Sequence, residues 1–171
     1  MKFSKITISL ALLIIVSASF ARKISELIRA IFGKEYFLWA THVLIFFFVI
    51  FLVILLLKSR FVLWKLIFFI TFLILTGMII WHIRLPEEKI HFLEYGILAW
   101  AASRDVFKQS TNKKKIFLAF GFCLAVGFID EIFQGILPER FFDWRDILFN
   151  AMGSVWGIIF FLIRPVKSKR E

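Results

Sequence analysis

Long apolar stretches alternate along this chain with short polar and basic segments. The stretches run at about 6–20, 37–57, 61–81, 90–102, 116–136 and 146–163. The second and third contain 21 residues each, and a helix of that length crosses a hydrocarbon core of roughly 30 Å at about 1.5 Å rise per residue. The pattern therefore predicts an all-α, polytopic transmembrane helix bundle of about six helices, or five if the first is cleaved.

The composition also indicates a membrane protein. Apolar residues make up 61% of the 171 residues, Phe alone occurs 24 times, and the mean hydropathy is +0.87. A soluble domain of this size would not expose so much apolar surface. The formal charge of +10 comes from basic residues in short clusters beside the apolar stretches, which favours membrane topology over nucleic-acid binding. The single cysteine, Cys123, excludes an intramolecular disulfide and a cysteine-rich metal site.

The N-terminal segment, residues 1–36, is predicted to contain a span followed by an amphipathic helix. Ser19-Phe20-Ala21 has small residues at the positions that signal peptidase reads, so removal of residues 1–21 stays an open alternative. The apolar residues of 22–35 share one helix face, which is typical of a helix lying in the membrane interface. A plain extension of the first span is the other interpretation of 22–35, and both stay open here.

The basic residues predict the orientation of the chain. With the N-terminus in the cytoplasm, alternate connections place the basic loop at 104–115 and the basic tail at 164–171 on the cytoplasmic side. Cytoplasmic loops are enriched in Lys and Arg, so this orientation is favoured. Residues 37–81 then form two additional transmembrane helices, and 82–163 form a core with a polar site. We expect a multi-pass protein of the cytoplasmic membrane with both termini inside.

Three polar helix ends are predicted to lie on the same side of the membrane. The connections around 82–89 and 137–145 are separated by two spans, so both emerge on the outer face. The polar residues near these connections are Lys89, His91, Glu94, Tyr95, Asp130, Glu131, Gln134, Arg140, Asp143, Asp146 and Asn150. Spacings of three and four residues keep the polar side chains of each helix on one face. Because ionisable groups beside lipid are expensive and usually functional, we expect these residues to line an outward-facing pocket.

Acid–base catalysis is the first role that these residue types allow. His91 lies among carboxylates, and burial or a nearby acid moves the pKa of a histidine across neutral pH, as a general acid or base requires. Glu131, Asp130 and Glu94 could orient the imidazole or share a proton with it. The alternative is structural, in which His91 hydrogen-bonds Asp130 or Glu131 and locks two helices together.

Ligand binding is the second role. Lys89 and Arg140 could hold a phosphate or a carboxylate, Arg140 through its planar fork and Lys89 as a point charge. Charge balance against nearby acids is the alternative for both. The other candidate ligand-binding residues are Tyr95, Gln134, Asp143, Asp146 and Asn150. Asp146 and Asn150 also fit an N-terminal cap and first turn of the last helix, with Asp143 or Asp146 as the acid that favours the helix dipole. For Asp143 this structural interpretation is the favoured one.

Two glycines and two histidines complete the positions of interest. Gly153 and Gly157 form a small-x-x-x-small step, which lets another helix approach closely. We therefore predict that this step packs against a neighbouring helix. His42 and His82 stand alone in or beside an apolar stretch and are assigned no role.

Metal and cofactor sites are not predicted. His91, Glu94, Glu131 and Asp146 offer nitrogen and oxygen ligands, but a His-x-x-x-His pair or a thiol that would make a metal site specific is missing. The sequence also contains no Gly-rich phosphate loop, serine nucleophile elbow or dinucleotide-binding fingerprint. We assign no metal ligands and expect no cofactor.

The polar residues of the core resemble a known family. Lys89-x-His91-Phe92-x-Glu94-Tyr95, followed by Asp130-Glu131-x-x-Gln134 and then by Arg140, Asp143, Asp146, Asn150 and Gly153, is similar to the VanZ-like family of small bacterial membrane proteins. The resemblance covers about 82–163 and implies an association with the bacterial cell envelope. For founding members of the family it also implies low-level resistance to the glycopeptide antibiotic teicoplanin, with no agreed biochemical activity. The helices at 37–81 are additional to the family pattern.

The leading hypothesis combines the pocket with this resemblance. The pocket would act on or bind an amphiphilic envelope lipid, a lipid-linked cell-wall precursor or a glycopeptide-related ligand, with cationic residues at the headgroup and helices around the tail. Membrane lipids are the expected partners, and no binding of nucleic acid is expected. The sequence leaves the oligomeric state open. A non-catalytic binding or structural protein is the alternative, and a small proton-coupled transporter is a third reading.

Overall fold

The computed structural model describes residues 2–57, 63–82, 86–107, 112–138 and 140–163. Across these ranges the chain forms six α-helices and no strand, which confirms the all-α prediction. The helices are α1 (Lys5–Phe32), α2 (Lys34–Leu57), α3 (Leu63–His82), α4 (Pro86–Val106), α5 (Lys113–Ile136) and α6 (Trp144–Ile163). The basic tail at 164–171 lies outside the described residues.

Helices α4, α5 and α6 pack together at the centre of the bundle. The most extensive interface joins α4 to α6, and α1 packs against both α4 and α5. The buried core between these helices includes Leu98, Ala119, Cys123 and Ile158. Helix α2 contacts α1 and α4, and α3 contacts α6. The central helices therefore hold the polar residues of the predicted core, and α2 and α3 lie further out.

Glycines allow the close crossing of α4 and α6. An added Cβ at Gly153 would overlap the carbonyl group of Phe92, and one at Gly157 would overlap that of Gly96. At the same crossing, the Trp156 ring packs 6.2 Å from the Phe92 ring, measured between centroids. The two helices thus approach backbone to backbone, the geometry that small-x-x-x-small steps favour.

Helix α1 is a single helix with a bend. Its segments Lys5–Phe20 and Lys23–Phe32 are inclined by 54° to each other. The helix ends at Gly33, which adopts a φ of +85° that side chains rarely tolerate. The second segment therefore continues the first helix, as one interpretation of 22–35 predicted. It also runs in a different direction, as a separate interfacial helix would.

A hydrogen-bonded clip joins the start of α1 to the end of α4. Asp105 Oδ2 accepts from the Ser4 amide at 2.8 Å and from the Thr7 hydroxyl at 2.6 Å. Asp105 lies beyond the apolar stretch 90–102. Burial of its carboxyl opposes ionisation, but the hydrogen bonds from Thr7 and Ser4 outweigh that effect and lower its pKa. The clip anchors α1 to the central helices at the end of α4 that is remote from His91.

Membrane-spanning character is clearest in the last two helices. Within the described residues, α5 and α6 are long and apolar enough to cross a membrane, and α1 adds a third candidate if its two segments count as one span. Helix α4 begins with the charged segment PEEK, which lowers its mean hydropathy. The apolar helices indicate a membrane protein, whereas the number of six spans stays a prediction.

Candidate functional site

The start of α4, the end of α5 and the start of α6 meet in one polar cluster. The Tyr95 hydroxyl of α4 donates to Asp130 Oδ2 of α5 at 3.3 Å. The amide of Asp143, directly before α6, donates to Glu131 Oε2 at 3.1 Å. Tyr95, Asp130 and Glu131 are fully buried. Two hydrogen bonds therefore join the middle of α4, the end of α5 and the start of α6 at the same level of the bundle.

His91 lies between two carboxyl groups. Its Nδ1 atom is 3.8 Å from Glu94 Oε2 and 4.0 Å from Asp130 Oδ2. The residue is 7% exposed, and the Glu94 side chain is 31% exposed. A protonated imidazole in this position gains two acidic neighbours, and a neutral one can accept a proton from a molecule beside it. The arrangement suits both roles that the sequence suggested, acid–base chemistry and a structural link to Asp130.

Glu131 and Asp143 organise the start of α6. Glu131 Oε1 accepts a hydrogen bond from the side-chain amide of Gln134 at 3.3 Å, and its Oε2 accepts one from the backbone amide of Asp143. Asp143 Oδ1 accepts from the Arg145 amide at 2.8 Å, which makes Asp143 the N-cap of the helix. Asp146 follows in the first turn, where a negative charge interacts favourably with the helix dipole. Asp143 thus has a capping geometry, and it does not line the cavity described below.

Asn150 lies one turn further into α6 and faces α5. It is 1% exposed, and within the described part of the chain neither atom of its amide group has a hydrogen-bond partner. A Cβ added at Gly127 would approach the Asn150 amide to 3.2 Å and the Tyr95 ring to 3.3 Å. Gly127 therefore makes the space that Tyr95 and Asn150 occupy. Gly127 was not among the predicted site residues, although its position three residues before Asp130 places it on the same helix face.

A cavity of about 540 Å³ opens beside this cluster, between α1 and the start of α4. Its polar lining includes His91 and Glu94 of α4 and Arg140 of the connection to α6. Its apolar lining comes largely from both segments of α1 and includes Leu13, Ile14, Val16, Phe20, Ile24 and Ile28. The cavity thus has a long hydrocarbon wall with ionisable groups along one side.

Arg140 connects the cavity to the bend of α1. Its Nη2 atom donates to the Ala18 carbonyl at 3.0 Å. Its Nε atom is buried and has no hydrogen-bond partner in the described ranges. In the described part of the chain no carboxylate forms an ion pair with the guanidinium, which interacts with Asp130 only at longer range. Its hydrogen-bonding edge can therefore bind a ligand.

Lys89 points to a different neighbour. It is 2% exposed, and its ammonium lies 2.9 Å from His42 Nε2 of α2. Lys89 precedes the apolar stretch of α4, and burial lowers its pKa. It is not part of the cavity lining. The sequence assigned His42 no role, and in the structure this histidine joins α2 to α4 through Lys89. The sequence separation of 47 residues gave no local signal for this contact.

The predicted site residues therefore fall into three groups. The first lines the cavity and consists of His91, Glu94 and Arg140. The second is buried behind it and consists of Tyr95, Asp130, Glu131, Gln134 and Asn150. The third supports helix geometry elsewhere and consists of Lys89, Asp143, Asp146, Gly153 and Gly157. Within the described residues, no group of three or more His, Cys, Asp or Glu side chains has the arrangement of a metal site.

Similarity to known proteins is found at the level of a family. The model of the VanZ/LLP1 family matches residues 76–165, which is more than half of the chain. The match includes the whole of α4, α5 and α6 and therefore all of the polar cluster. No curated protein and no solved structure shows significant similarity to this chain.

Proposed function

The chain belongs to the VanZ/LLP1 family, and we propose that it is a bacterial envelope protein whose cavity binds an amphiphilic molecule. The apolar tail of the ligand lies against α1, and its headgroup reaches His91, Glu94 and Arg140. The ligand is an envelope lipid or a lipid-linked cell-wall precursor. The protein resides in the cytoplasmic membrane with its polar cluster toward the outer face.

The cavity carries this proposal. Ligand pockets of a few hundred Å³ with mostly apolar walls and a small number of placed polar groups are typical of small-molecule sites. Here the apolar wall comes from α1, and the polar groups come from α4 and Arg140. Burial of an acyl or prenyl tail contributes about 0.8 kcal/mol per methylene, so the hydrocarbon wall supplies affinity and the polar groups supply selectivity.

Filling the cavity tests the proposal. Val16 and the neighbouring α1 residue Leu12 are similarly exposed, at 53% and 58%, but of the two only Val16 lines the cavity. We expect Val16→Trp to abolish the retention of lipid by purified protein, measured by native mass spectrometry in detergent. Leu12→Trp is the matched control and should retain lipid as the wild type does. Equal retention in both variants would contradict binding in this cavity.

Resistance to teicoplanin is the physiological role that we propose, through binding or masking of an envelope molecule at this cavity. His91→Ala and Glu131→Gln are expected to abolish protection in a teicoplanin-sensitive bacterial host that expresses the protein. Protein levels in the membrane are the control, measured by immunoblot of the membrane fraction. If both variants protect as well as the wild type, the polar cluster is structural only.

Catalysis is a second candidate, and the position of His91 favours it. The imidazole lines the cavity and has Asp130 and Glu94 at 4.0 Å and 3.8 Å. A base so placed can take a proton from a ligand hydroxyl, with Asp130 stabilising the imidazolium that forms. Incubation of purified protein with labelled envelope lipids distinguishes the two functions, because a catalyst changes the lipid and a binder does not. A product that persists in His91→Ala would contradict this role.

A further inference from the structure

We propose that the cavity selects a phospholipid whose headgroup carries both a phosphate and a protonated primary amine, and that it takes up one acyl chain of that lipid. This inference rests on the proposed function and specifies its ligand class. It follows from three properties of the cavity. They are the hydrogen-bonding edge of Arg140, the presence of Glu94 in the same lining and the size of the apolar space.

Arg140 offers a phosphate-binding edge. Its Nη2 donates to the Ala18 carbonyl and its buried Nε has no partner in the described ranges. These two nitrogens belong to one side of the guanidinium, which can bind two oxygens of a phosphate through parallel hydrogen bonds. A charged phosphate oxygen is a stronger acceptor than a neutral carbonyl. The phosphate therefore replaces Ala18 as the partner of Arg140.

Glu94 makes a purely anionic headgroup unsuitable. Its partly exposed carboxyl group lines the same cavity as Arg140, with His91 at 3.8 Å. An anionic headgroup with no cation would satisfy Arg140 but be repelled by the ionised form of Glu94, whereas a headgroup cation stabilises that ionised form. A primary ammonium supplies three hydrogen-bond donors for Glu94, whereas a quaternary ammonium carries the charge without a donor. The lining thus matches a zwitterion with N–H groups.

The apolar space is the size of one chain. The cavity volume of about 540 Å³ falls in the range of about 300–1,000 Å³ that is typical of small-molecule pockets. The apolar lining extends along α1 from Leu13 to Ile28, which at about 1.5 Å per residue is roughly 22 Å. One long acyl chain fits such a groove, and the second chain stays in the surrounding bilayer.

The test compares three phospholipids that differ only in headgroup, namely phosphatidylethanolamine, phosphatidylglycerol and phosphatidylcholine with identical chains. The full-length protein is purified, each lipid is added in turn, and retention is measured by native mass spectrometry. We expect retention of phosphatidylethanolamine to exceed that of the other two by about tenfold, the effect of one charge-assisted hydrogen bond. Equal retention of all three would overturn the headgroup selection.

Variants assign the selection to Glu94 and Arg140. Glu94→Gln should remove the preference for phosphatidylethanolamine over phosphatidylglycerol, and Glu94→Lys should reverse it. Arg140→Lys keeps a positive charge but lacks the fork, so it should weaken retention of all three lipids. Arg145→Ala is the matched control, since Arg145 is exposed and outside the cavity. An unchanged preference in Glu94→Lys would overturn the proposal even if Arg140→Lys fails to fold.

Failure of this inference differs from failure of the proposed function. If all three lipids are retained equally and Val16→Trp displaces them, the cavity binds amphiphiles without headgroup selection. If Val16→Trp displaces none of them, binding at the cavity itself is disproved.

Discussion

The carbonyl group of Gly96 lies directly against Gly157, so α4 and α6 cross here with no side chain between their backbones. The same arrangement recurs one turn away, where Gly153 faces the carbonyl group of Phe92. His91 precedes Phe92 on α4, and Asn150 precedes Gly153 by three residues on α6. The close crossing therefore sets the distance between the two helix ends that carry the polar cluster.

Alanine at Gly157 should destabilise the bundle. A methyl group would overlap the Gly96 backbone, and overpacking of this kind costs about 1–3 kcal/mol. We expect the melting temperature in detergent to fall by about 2–4 °C per kcal/mol for a chain of this size. Gly121→Ala is the matched control, because a Cβ at Gly121 has nothing within 4 Å. A melting temperature of Gly157→Ala equal to that of the control would contradict the close crossing.

Removal of the Glu131 carboxylate should loosen the start of α6. In Glu131→Ala the Asp143 amide and the Gln134 side chain lose their acceptor, and an unsatisfied buried donor costs about 1–3 kcal/mol. The expected result is faster hydrogen exchange at residues 141–146, measured by mass spectrometry. Ile132→Ala, at an exposed position of the same helix, serves as the control. Unchanged exchange in Glu131→Ala would show that Glu131 does not hold this connection.

The contact between Lys89 and His42 should appear as thermodynamic coupling. His42→Ala leaves the ammonium of Lys89 without this acceptor, while Lys89→Met removes the charge and keeps most of the volume. The destabilisation of the double variant should be smaller than the sum of the two single effects, with a coupling of about 0.5–3 kcal/mol. Melting temperatures of the four proteins measure it. Simple additivity would mean that the 2.9 Å contact contributes no stability.

The Asp105 clip should make stability depend on pH. The folded-state pKa of Asp105 lies below its ordinary value of 3.8, so the ionised group stabilises the fold above that value. This contribution is lost as pH falls through the lower folded-state pKa. The difference in melting temperature between the wild type and Asp105→Asn is thus expected to be largest near neutral pH and to shrink below about pH 4.

Thr7→Val provides a second measurement of the clip. The variant keeps the shape of the side chain but removes the hydroxyl that donates to Asp105 at 2.6 Å. A hydrogen bond to a charged group contributes about 1.5–3 kcal/mol, so Thr7→Val should lower the melting temperature at neutral pH. If the melting temperature of Asp105→Asn lies below that of the wild type by the same amount at every pH, ionisation of Asp105 does not stabilise the clip.

The helical class and the grouping of the polar residues follow from the amino-acid sequence alone. Long apolar stretches specify helices because their hydrophobicity is a property of consecutive residues. The spacing of His91 and Tyr95, and of Asp130 and Gln134, shows which side chains share a helix face. The count of spans between connections predicts which helix ends meet. The hydrogen bonds from Tyr95 to Asp130 and from Asp143 to Glu131 join those ends.

Which of these residues can reach a ligand depends on how the helices pack. The wall of the cavity comes from α1, and the bond from Arg140 to Ala18 joins residues 122 positions apart. The pairing of Lys89 with His42 turns one predicted ligand-binding residue away from the cavity. Gly127 matters only because Tyr95 and Asn150 pack against it. Such relationships depend on how helices distant in sequence pack together, and local periodicity carries no information about that packing.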